Sequence, residues 1–143
     1  MRVALVTGGG SGIGRSAALE LNKIDFTVYV VGRREEELIK TSSLATNNNH
    51  KIIPIKTDIT IGSQVIALFD KIKSGHGRID LLFNNAGMGA PRVPIEDLKE
   101  EDWRKTVDVN LTGSFLCSQQ AIKLMKNQSP QGGRIVNNGS VSA

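Results

Sequence analysis

The chain has 143 residues, one cysteine and a formal charge of +4, from 18 Lys and Arg against 14 Asp and Glu. That length accommodates one domain with its own core, so no disulfide or structural metal is needed to hold it. A lone cysteine excludes an internal disulfide and matches a cytoplasmic protein. The basic residues are spread out, with no run longer than a pair such as Arg33-Arg34, and the six aromatic residues are scattered. Both facts speak against a nucleic-acid footprint or stacking platform. The N-terminal apolar run is too short for a signal peptide, and no stretch approaches the ~18 apolar residues of a membrane span.

In chain order, residues 3–7 are a short apolar run that ends in a glycine cluster, which predicts a buried strand. Ile13, Ala17, Leu21 and Ile24 follow at helical spacing, on one face, and predict a helix. Residues 26–31 are β-branched and aromatic and predict a second strand, ended by Gly32. A polar helix is expected over 34–44, then a loop at Thr46-Asn47-Asn48-Asn49. Residues 52–55 predict a third strand, and Pro54 marks it as an edge strand because proline cannot donate to a ladder. Val65, Leu68, Phe69 and Ile72 predict a third helix, with Thr60 as its cap. A fourth strand is expected over 79–83. Trp103, Val107, Leu111, Phe115 and Ile122 trace one face of a long helix, interrupted at Gly113, with Trp103 as an anchor against the sheet. Residues 135–137 open a fifth strand.

Strands alternating with helices predict an α/β fold: a doubly wound parallel sheet with helices on both faces. In such sheets ligands bind outside the carboxyl ends of the strands, where strand order reverses. The chemically suggestive residues sit at those ends: Thr7-Gly8, Gly32-Arg33, Asp58, Asn84-Asn85 and Ser140. The stretch Thr7-Gly8-Gly9-Gly10-Ser11-Gly12-Ile13-Gly14 follows a strand and opens a helix, the context required of a dinucleotide loop. Glycines let the backbone approach a pyrophosphate, and the helix start offers unpaired N–H groups and a positive dipole. It is not a P-loop, because no Gly-Lys-Ser/Thr follows.

This loop resembles the cofactor loop of the short-chain dehydrogenases/reductases. Asn84-Asn85-Ala86-Gly87 after strand four is similar to that family's second fingerprint. Asn110 in Val109-Asn110-Leu111-Thr112-Gly113 is similar to its helix asparagine, and Ile135-Val136-Asn137-Asn138-Gly139-Ser140 to its serine-bearing fifth strand. The motifs stand in the family's order and span essentially the whole chain. The resemblance implies a single NAD(P)-binding Rossmann-type domain over 1–143. It also implies hydride transfer between a nicotinamide cofactor and a small-molecule carbonyl or alcohol. Ser140 would orient the substrate oxygen, and the Asn110 carbonyl would hold a water in the proton relay. Gly8, Ser11, Gly12, Ile13, Gly14, Arg33, Asp58, Ile59, Asn84, Ala86 and Gly87 would hold the cofactor.

Gly32 stands where NAD-preferring members place an acidic residue for the ribose hydroxyls, and Arg33 is suited to a 2′-phosphate, so NADP(H) is favoured over NAD(H). Solvated arginines beside a helix start, offset by Glu35 to Glu37, are the alternative. The family's acid/base pair is a Tyr-x-x-x-Lys on the helix after the serine. The only tyrosine here is Tyr29, whose Tyr29-Val30-Val31-Gly32-Arg33 context is a strand, so it reads as sheet packing. The expectation is therefore an N-terminal part of such an enzyme, with strands one to five present and the later strands and helices absent. It would be inactive alone and would belong to a homo-oligomer at full length. A non-catalytic dinucleotide-binding sensor or partner-binding protein is the alternative. No membrane, nucleic-acid or metal partner is expected. Cys117 reads as a buried small hydrophobe, and His50 and His76 as isolated residues without metal-ligand spacing.

Overall fold

Val3 to Val6 have no exposed surface, so the first apolar run must be covered on both faces. The computed structural model, which describes residues 1–140, shows how. Strand β1 (Arg2–Thr7) lies in the middle of a five-stranded sheet. The other strands are β2 (Phe26–Gly32), β3 (Ile52–Lys56), β4 (Leu81–Asn84) and β5 (Arg134–Asn137). Their order is β3-β2-β1-β4-β5 and every pairing is parallel, with Leu5 opposite both Tyr29 and Leu82. The winding runs outward from β1 to β3 and then returns to β4, so strand order reverses between β1 and β4. This is the Rossmann-like α/β architecture that the sequence implies.

The period-two alternation of the strands divides the core. Ala4, Val6, Val28 and Val30 face helices α1 (Gly12–Lys23) and α2 (Glu35–Ser43). Val3, Leu5, Tyr29, Val31 and Leu82 face helices α3 (Gly62–His76) and α5 (Gly113–Asn127). Between β4 and α5 the chain makes a short 3-10 turn at Ile95–Asp97. Helix α4 (Glu100–Val107) and one π turn at Asp108–Thr112 follow, and the π turn runs directly into α5. Pro54 lies on β3, an edge strand as expected, in register with Val30.

The structure decides which helix faces are buried. In α1 the buried residues are Gly14, Ala18 and Asn22, while Ile13 and Ile24 are exposed. In α5 they are Gly113, Cys117, Ala121, Leu124 and Met125, while Leu111, Phe115 and Ile122 face outward. Trp103 on α4 is 59% exposed and anchors nothing against the sheet. In both helices small residues face the sheet, because only they let the helix backbone seat closely on it. Thr60 does not cap α3 either: its hydroxyl donates to Asp58 Oδ1 at 2.7 Å, and the cap position belongs to Ile61.

Candidate active site

The carboxyl end of β1 turns at Gly8, whose φ of +66° strongly favours glycine over a residue with a side chain. The N–H groups of Gly8 and Gly9 both donate to the Val31 carbonyl, at 2.9 and 3.2 Å, which fastens the loop to β2. Gly14 is the close approach: a Cβ there would stand 2.2 Å from the Gly8 carbonyl oxygen and 2.6 Å from Asn85 Nδ2. Helix α1 therefore starts directly behind the loop. Its cap residue, Ser11, makes no side-chain capping bond, and its first turn carries no acidic side chain. The N–H groups of that turn and the positive end of the helix dipole are left for an anion.

A cleft of about 620 Å³ opens in front of this loop. The structure places Gly8, Ser11, Gly12, Ile13, Arg33, Asp58, Ile59, Ala86 and Gly87 along it. Of the expected cofactor residues, Gly14 lies behind the loop rather than on the cleft, and Asn84 is in the wall of a neighbouring cavity. Arg33 and Arg34 are exposed at the cleft's edge, and Arg34 Nη2 donates to Ser11 Oγ at 3.2 Å. Asp58 accepts the Thr60 N–H at 3.0 Å, and its own N–H donates to Gln64 Oε1 at 2.8 Å, so the β3 end is held as a tight turn. Thr7 fastens β1 to β4: its Oγ1 accepts the N–H groups of Asn85 and Ala86, both at 2.9 Å.

The second cavity, about 1020 Å³, shares Asn85, Ala86, Gly87 and Asn138 with the first, so the two adjoin. It brings together Asn110 and Ser140, which lie on the π turn and after β5. The Asn110 amide is locked to the loop after β4: Nδ2 donates to the Met88 carbonyl and Oδ1 accepts the Met88 N–H, each at 2.8 Å. Its main-chain carbonyl accepts the Ser114 hydroxyl at 3.1 Å. A π turn inserted in a helix displaces the regular carbonyl ladder, and such turns recur at functional sites. Asn84 is buried, and its Nδ2 donates to Ser118 Oγ at 3.0 Å and Asn137 Oδ1 at 2.9 Å. It thereby ties β4 to β5 and α5.

Sequence reasoning missed Asn138, which borders both cavities and donates to Asn85 Oδ1 at 2.9 Å. Its place just past β5, at the same sheet end as the other site residues, was the available signal. The reactive-looking residues elsewhere are packed in the fold. The Tyr29 hydroxyl lies 2.7 Å from His76 Nδ1, and burial raises its pKa, the opposite of what an acid/base phenol requires. His76 is therefore engaged rather than isolated. Burial pushes the Cys117 thiol up to about 12. Among the described residues, no three His, Cys, Asp or Glu side chains group as metal ligands, and no helix is long and apolar enough to cross a membrane.

The comparisons with known proteins identify the family and agree with the fold. The family model described as short chain dehydrogenase matches residues 2–143. The chain is 37% identical over 141 residues to a 3beta-hydroxysteroid dehydrogenase of Mediterraneibacter gnavus, covering 99% of this chain and 50% of that protein. Among solved structures, an NAD+-bound xylitol dehydrogenase superposes with a TM-score of 0.92 at 30% identity, covering 99% of this chain and 54% of that one. A metagenomic short-chain oxidoreductase in complex with NADP superposes with a TM-score of 0.91 at 27% identity, covering 98% and 62%. The chain spans about half the length of the curated relatives it matches. With the fingerprints in order along the chain, the glycine loop at the switch point and a family match from end to end, this protein belongs to the short-chain dehydrogenase family.

Proposed function

We propose that this chain forms the cofactor-binding part of an NADP(H)-dependent oxidoreductase that interconverts a carbonyl and an alcohol. One observation carries the reading. A cleft floored by the glycine loop and the uncapped start of α1 has Arg33 and Arg34 on its edge. It adjoins the cavity bordered by Asn110 and Ser140. The residues fit the group: N–H donors for a pyrophosphate, guanidinium groups for a 2′-phosphate, and no acidic side chain at Gly32 to repel one. When bound, the nicotinamide gives or takes the hydride.

The chain's own residues do the rest. The Ser140 hydroxyl donates to the substrate oxygen and polarises the carbonyl. Asn110 anchors the loop after β4 and offers its carbonyl to a relay water. Asp58 and Ile59 flank the adenine, and Ala86 and Gly87 form the wall where the two cavities meet. The one tyrosine among residues 1–143, Tyr29, is packed in the sheet and does not form the family's acid/base pair with a lysine. The 143-residue chain therefore turns over no carbonyl by itself. The exposed Trp103 and Ile122 support a homo-oligomer for the whole protein, while Leu111 and Phe115 border the second cavity.

The test is a fluorescence titration with NADPH and NADH. Saturable binding with NADPH the tighter ligand is expected, and Arg33→Ala should weaken NADPH by about tenfold while leaving NADH unchanged, since the guanidinium touches only the extra phosphate. Equal affinities that ignore Arg33→Ala would overturn the NADP(H) preference, and absence of any saturable binding would overturn the function. Reading the coding sequence past Ala143 decides catalysis: an in-frame Tyr-x-x-x-Lys is expected. A stop codon would favour the non-catalytic dinucleotide-binding reading.

A further inference from the structure

Behind the glycine loop, on the side away from the cleft, lies a polar network that is buried at Thr41 and partly exposed at Arg15 and Glu37. Thr41 is fully buried in α2, and its hydroxyl stands 2.8 Å from the Gly9 carbonyl oxygen and 3.0 Å from that of Glu37. Arg15, in the first turns of α1, reaches across to the same place. Its Nε donates to Thr41 Oγ1 at 3.0 Å. Its Nη2 donates to the Gly10 carbonyl, to the Glu37 carboxylate at 2.6 Å and to the Glu37 carbonyl at 3.3 Å. The Arg15 guanidinium in turn holds the Glu37 carboxyl below the ordinary carboxylate range. Gly10 borders the cleft, whereas Arg15, Glu37 and Thr41 do not.

The geometry of the peptide unit gives this network a consequence. In a planar trans peptide, the carbonyl of one residue and the N–H of the next point in opposite directions. Holding the Gly9 and Gly10 carbonyls toward α2 therefore aims the N–H groups of Gly10 and Ser11 the other way. A run of three glycines has no side chains to fix those peptide planes, so without an external anchor they reorient freely. We propose that Arg15 is a positioning residue for the dinucleotide. Together with Thr41 and Glu37 it locks the Gly9 and Gly10 carbonyls against α2, so that the loop presents fixed N–H donors to the cofactor's pyrophosphate. This rests on the reading of the cleft as a nicotinamide-dinucleotide site.

The effect falls on what NADPH and NADH share. In the protein at its natural full length, Arg15→Ala weakens both by about tenfold, the factor equivalent to one hydrogen bond involving a charged group. The cofactor KM rises while kcat holds, and the NADPH-to-NADH ratio stays constant, whereas Arg33→Ala changes that ratio. Arg15→Lys keeps the charge but lacks the fork of donors, so it stays within about threefold of the alanine variant. Thr41→Val weakens both cofactors and Thr41→Ser restores them.

Arg15→Ala binding both cofactors as the unsubstituted protein does would overturn the inference. So would full recovery by Arg15→Lys, which would make charge alone responsible, or a shifted cofactor ratio. If Arg15→Ala fails to fold by thermal melting, the Thr41→Val and Thr41→Ser pair decides the same question. An unsubstituted protein that binds neither dinucleotide sinks the cofactor reading and this inference with it. One that binds, with variants that make no difference, sinks this inference alone.

Discussion

Helices α3 and α5 pack side by side on the same face of the sheet, yet they bury opposite kinds of residue. Helix α3 turns its large side chains inward: Val65, Leu68, Phe69 and Ile72 are all buried. Helix α5 buries Gly113, Cys117 and Ala121 along most of its length, and Leu124 and Met125 only near its end. Its bulky Phe115 and Ile122 point away, 58% and 47% exposed. The difference teaches that an apolar stripe at helical spacing says a helix is amphipathic, not which stripe meets the sheet. Where a helix must approach closely, small residues take the inward face. Helix α1 follows the same rule with Gly14 and Ala18.

The largest test of this contrast is Leu68→Ala in α3, which should cost about 3 kcal/mol by chemical denaturation, because a fully enclosed leucine leaves a cavity. A loss below about 1 kcal/mol would mean that α3 does not carry its share of the core. Next is Ala121→Leu in α5, a fully buried position facing the sheet. Overpacking there should cost about 2 kcal/mol, and a neutral result would show that α5 does not seat closely.

Cys117 offers a third test, read through pH. Burial raises its folded-state pKa from an ordinary value near 9 to about 12. The folded protein thus holds the proton after the unfolded chain has released it. The corresponding stability is complete below pH 9 and is lost as pH rises toward 12. Stability curves over that window should fall less steeply in Cys117→Ala, and a thiol reagent at pH 8 should label the native protein only on unfolding. Rapid labelling of the folded protein would contradict the inward face assigned to α5.

The smallest effect is expected for Phe115→Ala. At an outward position the change should stay within about 0.5 kcal/mol when protomers are dilute. A cost that grows with protein concentration would sharpen the comparison by showing that the stripe is covered in an assembly.

Much of this was legible in the sequence, for reasons that differ by element. The strands were readable because β1 and β2 are buried on both faces and must be continuous apolar runs. The loop 7–14 was readable because its glycines answer demands made largely within the loop: a positive φ at Gly8 and a close approach of Gly14 to the Gly8 carbonyl. Boundaries were less so. Ile79 reads as strand, yet its N–H donates to Gln128 Oε1 and its carbonyl accepts from Gln128 Nε2, so the β4 ladder begins only at Leu81. No local signal links residues 49 apart along the chain.

The sequence by itself determined the alternation of strands and helices, the edge position of β3 through Pro54, and the glycine loop at the end of β1. These rest on backbone rules that act within a few residues. Only the tertiary structure decided which helix faces are inward, because that depends on how closely two elements can approach. It also decided that Asn84 ties strands together in the wall of the second cavity. It set Asn138 across both cavities, and it set Arg15 and Thr41 behind the glycine loop. Those assignments are made by hydrogen bonds between residues distant in the chain, and they come into being only when the sheet is assembled.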